Sequence, residues 1–151
     1  MATATMKVGT SQDQTDILAL IDKMHKANYD KDAAGFVALF DTDAAVFNLA
    51  PPLVHHGINL QEKQAWFDSW DGPIELEARN FEVTVSGDFA FCHGFMHMKG
   101  TPKMAGREIS FWMRSTIHLK REPNEWKISH EHTSVPFYMD GTQRAAFDLK
   151  P

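Results

Sequence analysis

The stretch from Phe111 to Pro136, FWMRSTIHLKREPNEWKISHEHTSVP, decides the fold. It predicts two long antiparallel strands, because β-branched and aromatic residues fill both halves and Glu122-Pro123-Asn124 supplies a tight turn between them. Side chains alternate between the two faces of a strand. One face of the second strand would then carry Trp126, Ile128, His130 and His132. Two imidazoles are therefore expected to continue an apolar face that looks into the protein.

The composition is that of a single globular domain. The chain has 151 residues, of which 43% are hydrophobic and 23% charged. A formal net charge of -5 argues against a nucleic-acid or anionic-membrane partner, since either would require a basic surface. The single cysteine, Cys92, has no partner for an internal disulfide, which favours a reducing compartment and a cytoplasmic location.

The first ten residues hold one lysine and no apolar run. They resemble neither a secretory signal nor a membrane span, and residues 1–10 are predicted to be a disordered tail.

Helical patterns dominate the first half of the chain. Ser11-Gln-Asp-Gln14 has the form of a capping box, and the apolar stripe behind it predicts a helix over about 13–30. Asp32 can cap a short second helix. After a short strand over 44–49, Asn59 can cap a third helix that buries Trp66, Phe67 and Trp70.

The second half of the chain predicts a run of strands. Apolar residues from Ile74 to Val85 alternate but change parity once, which predicts a β-bulge near Arg79-Asn80 and a curved sheet. Ser86-Gly87-Asp88 predicts a hairpin turn into the next strand, Phe89 to Lys99. The predicted order is α-α-β-α-β-β-β-β, an α+β domain with helices packed on one face of a curved antiparallel sheet.

Several phrases resemble the SnoaL-like and ketosteroid-isomerase-like branch of the nuclear transport factor 2-like superfamily. They are Gly35–Ala45, Gly87–Phe91, Trp112-Met-Arg114 with Thr116, and Trp126–Ser134. The resemblance covers about residues 12–136. It implies a cone-shaped sheet wrapped on three helices, with a pocket opening between them. The expected organisation is a SnoaL-like domain over 11–136 with a C-terminal extension over 137–151.

The resemblance leaves the activity open. Some members of the superfamily are isomerases, cyclases or dehydratases, and others only bind ligands or oligomerise. The closing His130–Ser134 also resembles the end of the association domain of calmodulin-dependent kinases, which is not an enzyme. Alignment with the isomerase places Asn48 at its general-base aspartate and Met24 at its oxyanion tyrosine. Neither side chain can perform those roles, so the ketosteroid isomerase mechanism is not expected here.

The catalytic candidates are His130, His132 and Arg114. The two histidine Cα atoms would lie roughly 6.6 Å apart, so both could act on one ligand as general acid or base, or simply line a pocket wall. The resemblance places Arg114 in the pocket as a fixed cation for a carboxylate or enolate oxygen. The alternative is an outward arginine in a dimer interface, since Phe111, Met113 and Ile117 form the more apolar parity.

Further candidates would contact a ligand without reacting. They are Asn48, Met24, Trp112, His93, His97, Trp66 and Trp70. For His93 and His97 a stacked interface is equally compatible with the pattern, and core packing is the main alternative for the two tryptophans. No metal site is expected, because His93 and His97 would lie about 13 Å apart along a strand, and no cofactor motif is present.

Two hypotheses follow. In the first, the chain is a small cofactor-independent enzyme that transfers a proton on a carbonyl-bearing, anionic or polycyclic small molecule. In the second, it is a non-catalytic module that binds a ligand or forms a homodimer through the outer face of its sheet.

Overall fold

The computed structural model describes Ala4–Val8 and residues 11–151. In this part of the chain the helices are α1 (Ser11–Asp30), α2 (Ala33–Val37) and α3 (Leu60–Asp68). The strands are β1 (Ala4–Val8), β2 (Phe40–Phe47), β3 (His55–His56), β4 (Trp70–Ser86), β5 (Phe89–Pro102), β6 (Ile109–Glu122) and β7 (Glu125–Ser134). They form one sheet in the spatial order β1-β4-β5-β6-β7-β2-β3. The α+β class and the antiparallel run β4-β5-β6-β7 are confirmed.

The helices begin where their capping residues predict. Asp32 accepts a hydrogen bond from the Gly35 amide at 2.9 Å, and Asn59 accepts one from the Glu62 amide at 3.0 Å. The apolar stripe of α1 is buried, with Ile17 and Ile21 both 0% exposed. The side chain of Ser11, and with it the predicted capping box, lies outside the described residues.

The turn between β6 and β7 is as short as the sequence predicts. Glu122 pairs with Glu125, so only Pro123 and Asn124 connect the strands. The turn between β4 and β5 places Gly87 at φ +59°, a conformation that glycine adopts without steric cost.

The predicted bulge in β4 is confirmed. Arg79 pairs with Phe95 but Glu82 pairs with His93, so β4 holds one extra residue here, and Asn80 has φ 52°. The bend brings Phe81 against Gly94 of β5, where a Cβ atom would lie 2.7 Å from the Phe81 ring. Only glycine accommodates this close approach.

The predicted disordered tail is wrong for Ala4–Val8. This segment forms β1 and pairs in parallel with Phe81–Thr84 of β4. The edge of β4 offers unpaired backbone groups that an extended segment satisfies, and local composition does not reveal such a distant partner. Residues 1–3 and 9–10 lie outside the described residues.

The two faces of the sheet differ sharply in burial. The inner face packs against the helices and includes Phe81, Val83, Met96, Met113 and Ile117, all between 0% and 6% exposed. The opposite surface is called the outer face below. At the C-terminus Ala146 is buried and the Phe147 ring lies 4.7 Å from that of Phe111, so the extension packs against the domain.

No helix in the described residues is both long and apolar enough to cross a membrane.

Candidate functional site

A second bulge, in β7, decides which polar groups face inward. Leu119 pairs with Ile128 and His118 pairs with His130, which leaves Ser129 as an extra residue. Beyond this bulge the parity of β7 is reversed. His130 shares the outer face with the exposed His118, whereas Glu131 pairs with Ile117, which is 0% exposed.

The expectation that His130 and His132 face inward is therefore wrong. Trp126 and Ile128 are buried on the inner face as predicted, but the histidines leave that face because the extra residue shifts the alternation by one. Glu131 takes the inward position instead.

Arg114 also faces outward, so its predicted place in the pocket is wrong. It lies between Met113 and Ser115, which are 6% and 3% exposed, and it is itself exposed. Its Nε donates to Ser134 Oγ at 3.0 Å on the same face. The alternative of an outward arginine describes its position correctly.

The remaining outer-face candidates lie along the same two strands. His93 pairs with Thr116 and His97 pairs with Trp112, so all four share the face of Arg114. His93, His97 and Trp112, which were predicted to contact a ligand, therefore lie on the side of the sheet opposite the inner face. His97 instead lines a groove of about 830 Å³ between α1 and β4, together with His25 and Glu77.

The outer face gathers aromatic rings around its histidines. The ring of Phe47 lies 4.8 Å from that of His130 and 5.3 Å from that of His132, and the His118 and His130 rings lie 5.1 Å apart. His130 Nδ1 donates to the Ala45 carbonyl at 2.6 Å, which fixes the tautomer if the ring is neutral. Burial, together with His130, lowers the pKa of His118. Within the described residues no three potential metal ligands converge.

The inner face holds a pair of opposite charges that the sequence analysis missed. Glu131 projects from β7 beside Val46 of β2. Lys63 projects from α3 and places Nζ 3.7 Å from the centroid of Phe36, 4.3 Å from Trp66 and 4.5 Å from Phe67. Trp66 and Phe67 follow Lys63 by three and four residues, which places them on its side of the helix. The pair Lys63 and Glu131, with these three rings, is called the inner site below.

Burial perturbs both charges of the inner site. It raises the pKa of Glu131, and the nearby Lys63 cation opposes this shift. It lowers the pKa of Lys63 to about 8, opposed by Glu131. In the part of the chain that the structure describes, the two groups sense each other's charge but form no direct ion pair. Both residues are half-buried, so the inner site retains access to solvent.

Three buried polar atoms elsewhere have no hydrogen-bond partner among the described residues, namely Ser115 Oγ, His25 Nε2 and Trp126 Nε1. Ser115 Oγ lies on the inner face, on β6 opposite Thr133. His25 Nε2 lies on α1 at the groove beside β4. Desolvation lowers the pKa of His25 to about 4, and Asp22 opposes this shift.

The other predicted ligand contacts divide between core and surface. Met24 is 2% exposed within α1, and Trp70 is 6% exposed with its ring 5.4 Å from Trp66. Asn48 follows β2 and is exposed. Of the ligand-binding predictions, only Trp66 belongs to the inner site.

The chain resembles known proteins in sequence and in fold. The model of the SnoaL-like domain family matches residues 17–138. An NTF2-like protein of unknown function from Pseudomonas putida KT2440 is 28% identical, with a TM-score of 0.82 over 94% of this chain and 99% of that one. No curated protein matches the sequence significantly.

More distant structures share the fold alone. A Streptomyces avermitilis protein, provisionally described as a dehydratase of the NTF2-like family, is 16% identical with a TM-score of 0.72, over 83% of this chain and 97% of that one. A Xanthomonas campestris protein, provisionally described as a calcium/calmodulin-dependent protein kinase II association domain, is 17% identical with a TM-score of 0.67. That alignment covers 89% of this chain and 96% of that one.

Proposed function

The chain belongs to the SnoaL-like domain family, and we propose that its inner site binds a small carbonyl-bearing molecule and transfers a proton on it. The observation that carries this proposal is the half-buried pair of Glu131 and Lys63, held on the inner face without a direct ion pair. In this proposal a polar group of the ligand would lie between the Glu131 carboxylate and the Lys63 cation and would contact both. The pair replaces His130, His132 and Arg114 as the candidate chemical centre.

The two groups would divide the reaction between them. The Glu131 carboxylate would take a proton from the carbon next to the carbonyl, and burial makes this carboxylate a stronger base by raising its pKa. The positive charge of Lys63 would stabilise the enolate oxygen that forms. Phe36, Trp66 and Phe67 would provide the apolar contacts for the rest of the ligand. The dehydratase description of the Streptomyces protein is compatible with such proton transfer.

The test begins with a thermal-shift screen of aldehydes, ketones and keto acids. A ligand at a hundred times its dissociation constant adds about 2.7 kcal/mol of stability, which raises the melting temperature measurably. Each stabilising compound is then incubated in deuterated buffer, and NMR measures proton exchange at the carbon next to its carbonyl.

Glu131→Gln is the decisive variant for this exchange. It should lower the exchange rate by roughly 100-fold or more, the usual contribution of a general base. The matched control is Glu125→Gln, at an exposed glutamate of the same strand, which should leave the rate unchanged. A wild-type exchange rate in Glu131→Gln would contradict the proposal, and so would a large loss in His132→Ala.

A second candidate function is homodimer formation through the outer face. The specific observation is that Phe47 and Phe91 are 37% and 43% exposed and lie beside histidine rings on the same face of the sheet. Covering them with the same face of a second copy would remove both from water. The description of the Xanthomonas protein as an association domain is compatible with this role.

Light scattering at micromolar concentration tests the dimer. The wild-type protein should have the mass of a dimer, and Phe91→Ser should shift it toward the monomer. Phe137→Ser, at a residue that is 54% exposed outside the sheet, is the matched control and should remain dimeric. A monomeric wild-type protein would refute this second function.

A further inference from the structure

We propose that His118 and His130, which face each other across β6 and β7 on the outer face, bind one divalent transition-metal ion such as Zn²⁺, Ni²⁺ or Cu²⁺. The two imidazoles lie on the side of the sheet opposite Glu131, so this metal site is separate from the inner site. It gives a role to two histidines that the proposed function leaves without one.

The bulge in β7 creates the pair. Ser129 is the extra residue, and after it His130 lies directly opposite His118 in the strand register. Without the extra residue, His130 would lie opposite Ile117 instead. Residues directly opposite each other in an antiparallel pair have Cβ atoms about 4.5–5.5 Å apart, with both side chains on one face. The bulge therefore places two imidazoles side by side.

The separation of the two rings fits a shared ion. The ring centroids of His118 and His130 lie 5.1 Å apart. Zinc bonds to imidazole nitrogen are about 2.0–2.1 Å long, and at a tetrahedral angle they place the two nitrogens about 3.4 Å apart and the ring centroids roughly 5 Å apart. The centroids of His130 and His132 are farther apart, at 6.4 Å. His118 and His130 are therefore the pair that fits one ion.

A hydrogen bond prepares His130 as a metal ligand. Its Nδ1 donates to the Ala45 carbonyl of β2 at 2.6 Å, which leaves Nε2 of the neutral ring with a lone pair for a metal. Because β2 and β6 flank β7 on opposite sides, the Nε2 side of the ring is turned away from β2 and toward His118. Metal-binding histidines almost always donate their second ring N–H to a carbonyl, a carboxylate or water, since this bond fixes the ring orientation.

The surroundings of the pair admit a cation. His118 is exposed and His130 is half-buried, so an ion reaches both rings from solvent. Lys120 is the next residue of β6 on this face, and it contacts the carboxylate of Asp41. This carboxylate compensates the lysine charge that would otherwise repel an ion.

Two imidazoles select the kind of ion. Imidazole nitrogen suits zinc, nickel and copper, whereas Mg²⁺ and Ca²⁺ prefer oxygen ligands. Within the described residues no three potential metal ligands converge, so the protein would fill two coordination positions and water the others. Such a site exchanges its ion with solvent and binds Cu²⁺ more tightly than Ni²⁺ or Zn²⁺.

Calorimetric titration of the untagged chain with NiCl₂ at pH 7.5, in a buffer that does not coordinate metals, tests the pair. The wild-type protein should bind Ni²⁺ at this site, and MgCl₂ should give no binding signal there. His118→Ala and His130→Ala should each weaken Ni²⁺ binding by roughly 100-fold, because the remaining imidazole no longer binds jointly with a second one. The matched control is His93→Ala, at an exposed histidine of the same face, which should keep the wild-type affinity.

Pulsed electron paramagnetic resonance of the chain with one equivalent of Cu²⁺ supplies a second readout. The spectra should show two imidazoles bound to the ion in the wild type and in His93→Ala, and not in His118→Ala. Absence of Ni²⁺ binding, or equal affinity in the wild type and His118→Ala, would overturn the proposal. An equally large loss of affinity in His93→Ala would place the ion elsewhere and would overturn it as well.

Discussion

The buried imidazole of His25 predicts a measurable loss of stability at mildly acidic pH. His25 lies half-buried on α1, with Nε2 lacking a hydrogen-bond partner among the described residues. Burial lowers its pKa from 6.5 to about 4, because the charged ring would lose its water. The perturbation is a change from pH 7.5 to pH 5 in the wild type and in His25→Gln, which removes the titrating group.

The sign and the size of this change in stability follow from proton linkage. Between pH 6.5 and pH 4 the unfolded chain binds a proton at His25 that the folded chain does not, so stability falls as the pH falls. The full shift corresponds to about 3 kcal/mol at 1.36 kcal/mol per pKa unit. At pH 5 about 2 kcal/mol of this should already be lost. The contribution is fully present above pH 6.5.

Urea unfolding followed by fluorescence of the four tryptophans measures the effect. The free energy of unfolding should fall by about 2 kcal/mol more in the wild type than in His25→Gln between the two pH values. The other titrating groups remain in both proteins, so their contribution cancels in the comparison. An equal pH dependence in the two proteins would refute a desolvated His25.

Three further predictions concern packing, capping and reactivity. Gly94→Ala should lower the free energy of unfolding, measured by urea unfolding, by about 1–3 kcal/mol. The added methyl group would lie 2.7 Å from the Phe81 ring. A variant as stable as the wild type would show that the bend in β4 relaxes to accommodate the methyl group. Asn59→Ala should cost about 1 kcal/mol in the same assay by removing the cap of α3, whereas Asn59→Asp should restore most of it. Burial raises the pKa of Cys92 to about 12. The thiol should therefore react with a disulfide reagent only as fast as the protein unfolds. A rapid reaction of the folded protein with the reagent would contradict the burial of Cys92.

The sequence predicted one bulge and missed the other for a physical reason. Around Arg79 the large apolar residues change parity, from Ile74 and Ala78 to Phe81 and Val83, and only an inserted residue explains that change. In β7 the residues after Ile128 are polar on both parities, so the alternation continues plausibly with or without the extra residue Ser129. The wrong prediction that His130 and His132 face inward is the consequence of this ambiguity.

The inner site was missed because its members are separated in sequence and ordinary in type. Lys63 on a helix predicts a solvated charge, and its ring cage becomes visible only when Phe36 of α2 packs beside α3. Glu131 lies between two histidines in the sequence, and no local pattern indicates that its side chain faces inward. By contrast, the three helices, the β4-to-β7 strands and the short β6–β7 turn follow from apolar periodicity and turn residues, which are local signals.

The inward position of Glu131 is tested most directly by a ¹³C NMR titration of its carboxyl carbon. Burial should place its pKa above the ordinary value of 4.5 in the wild type. In Lys63→Met the pKa should rise further, because the cation that opposes the shift is gone. A Glu131 that titrates at or below 4.5 and does not respond to Lys63→Met would contradict the bulge, the pairing and the proposed chemical centre together.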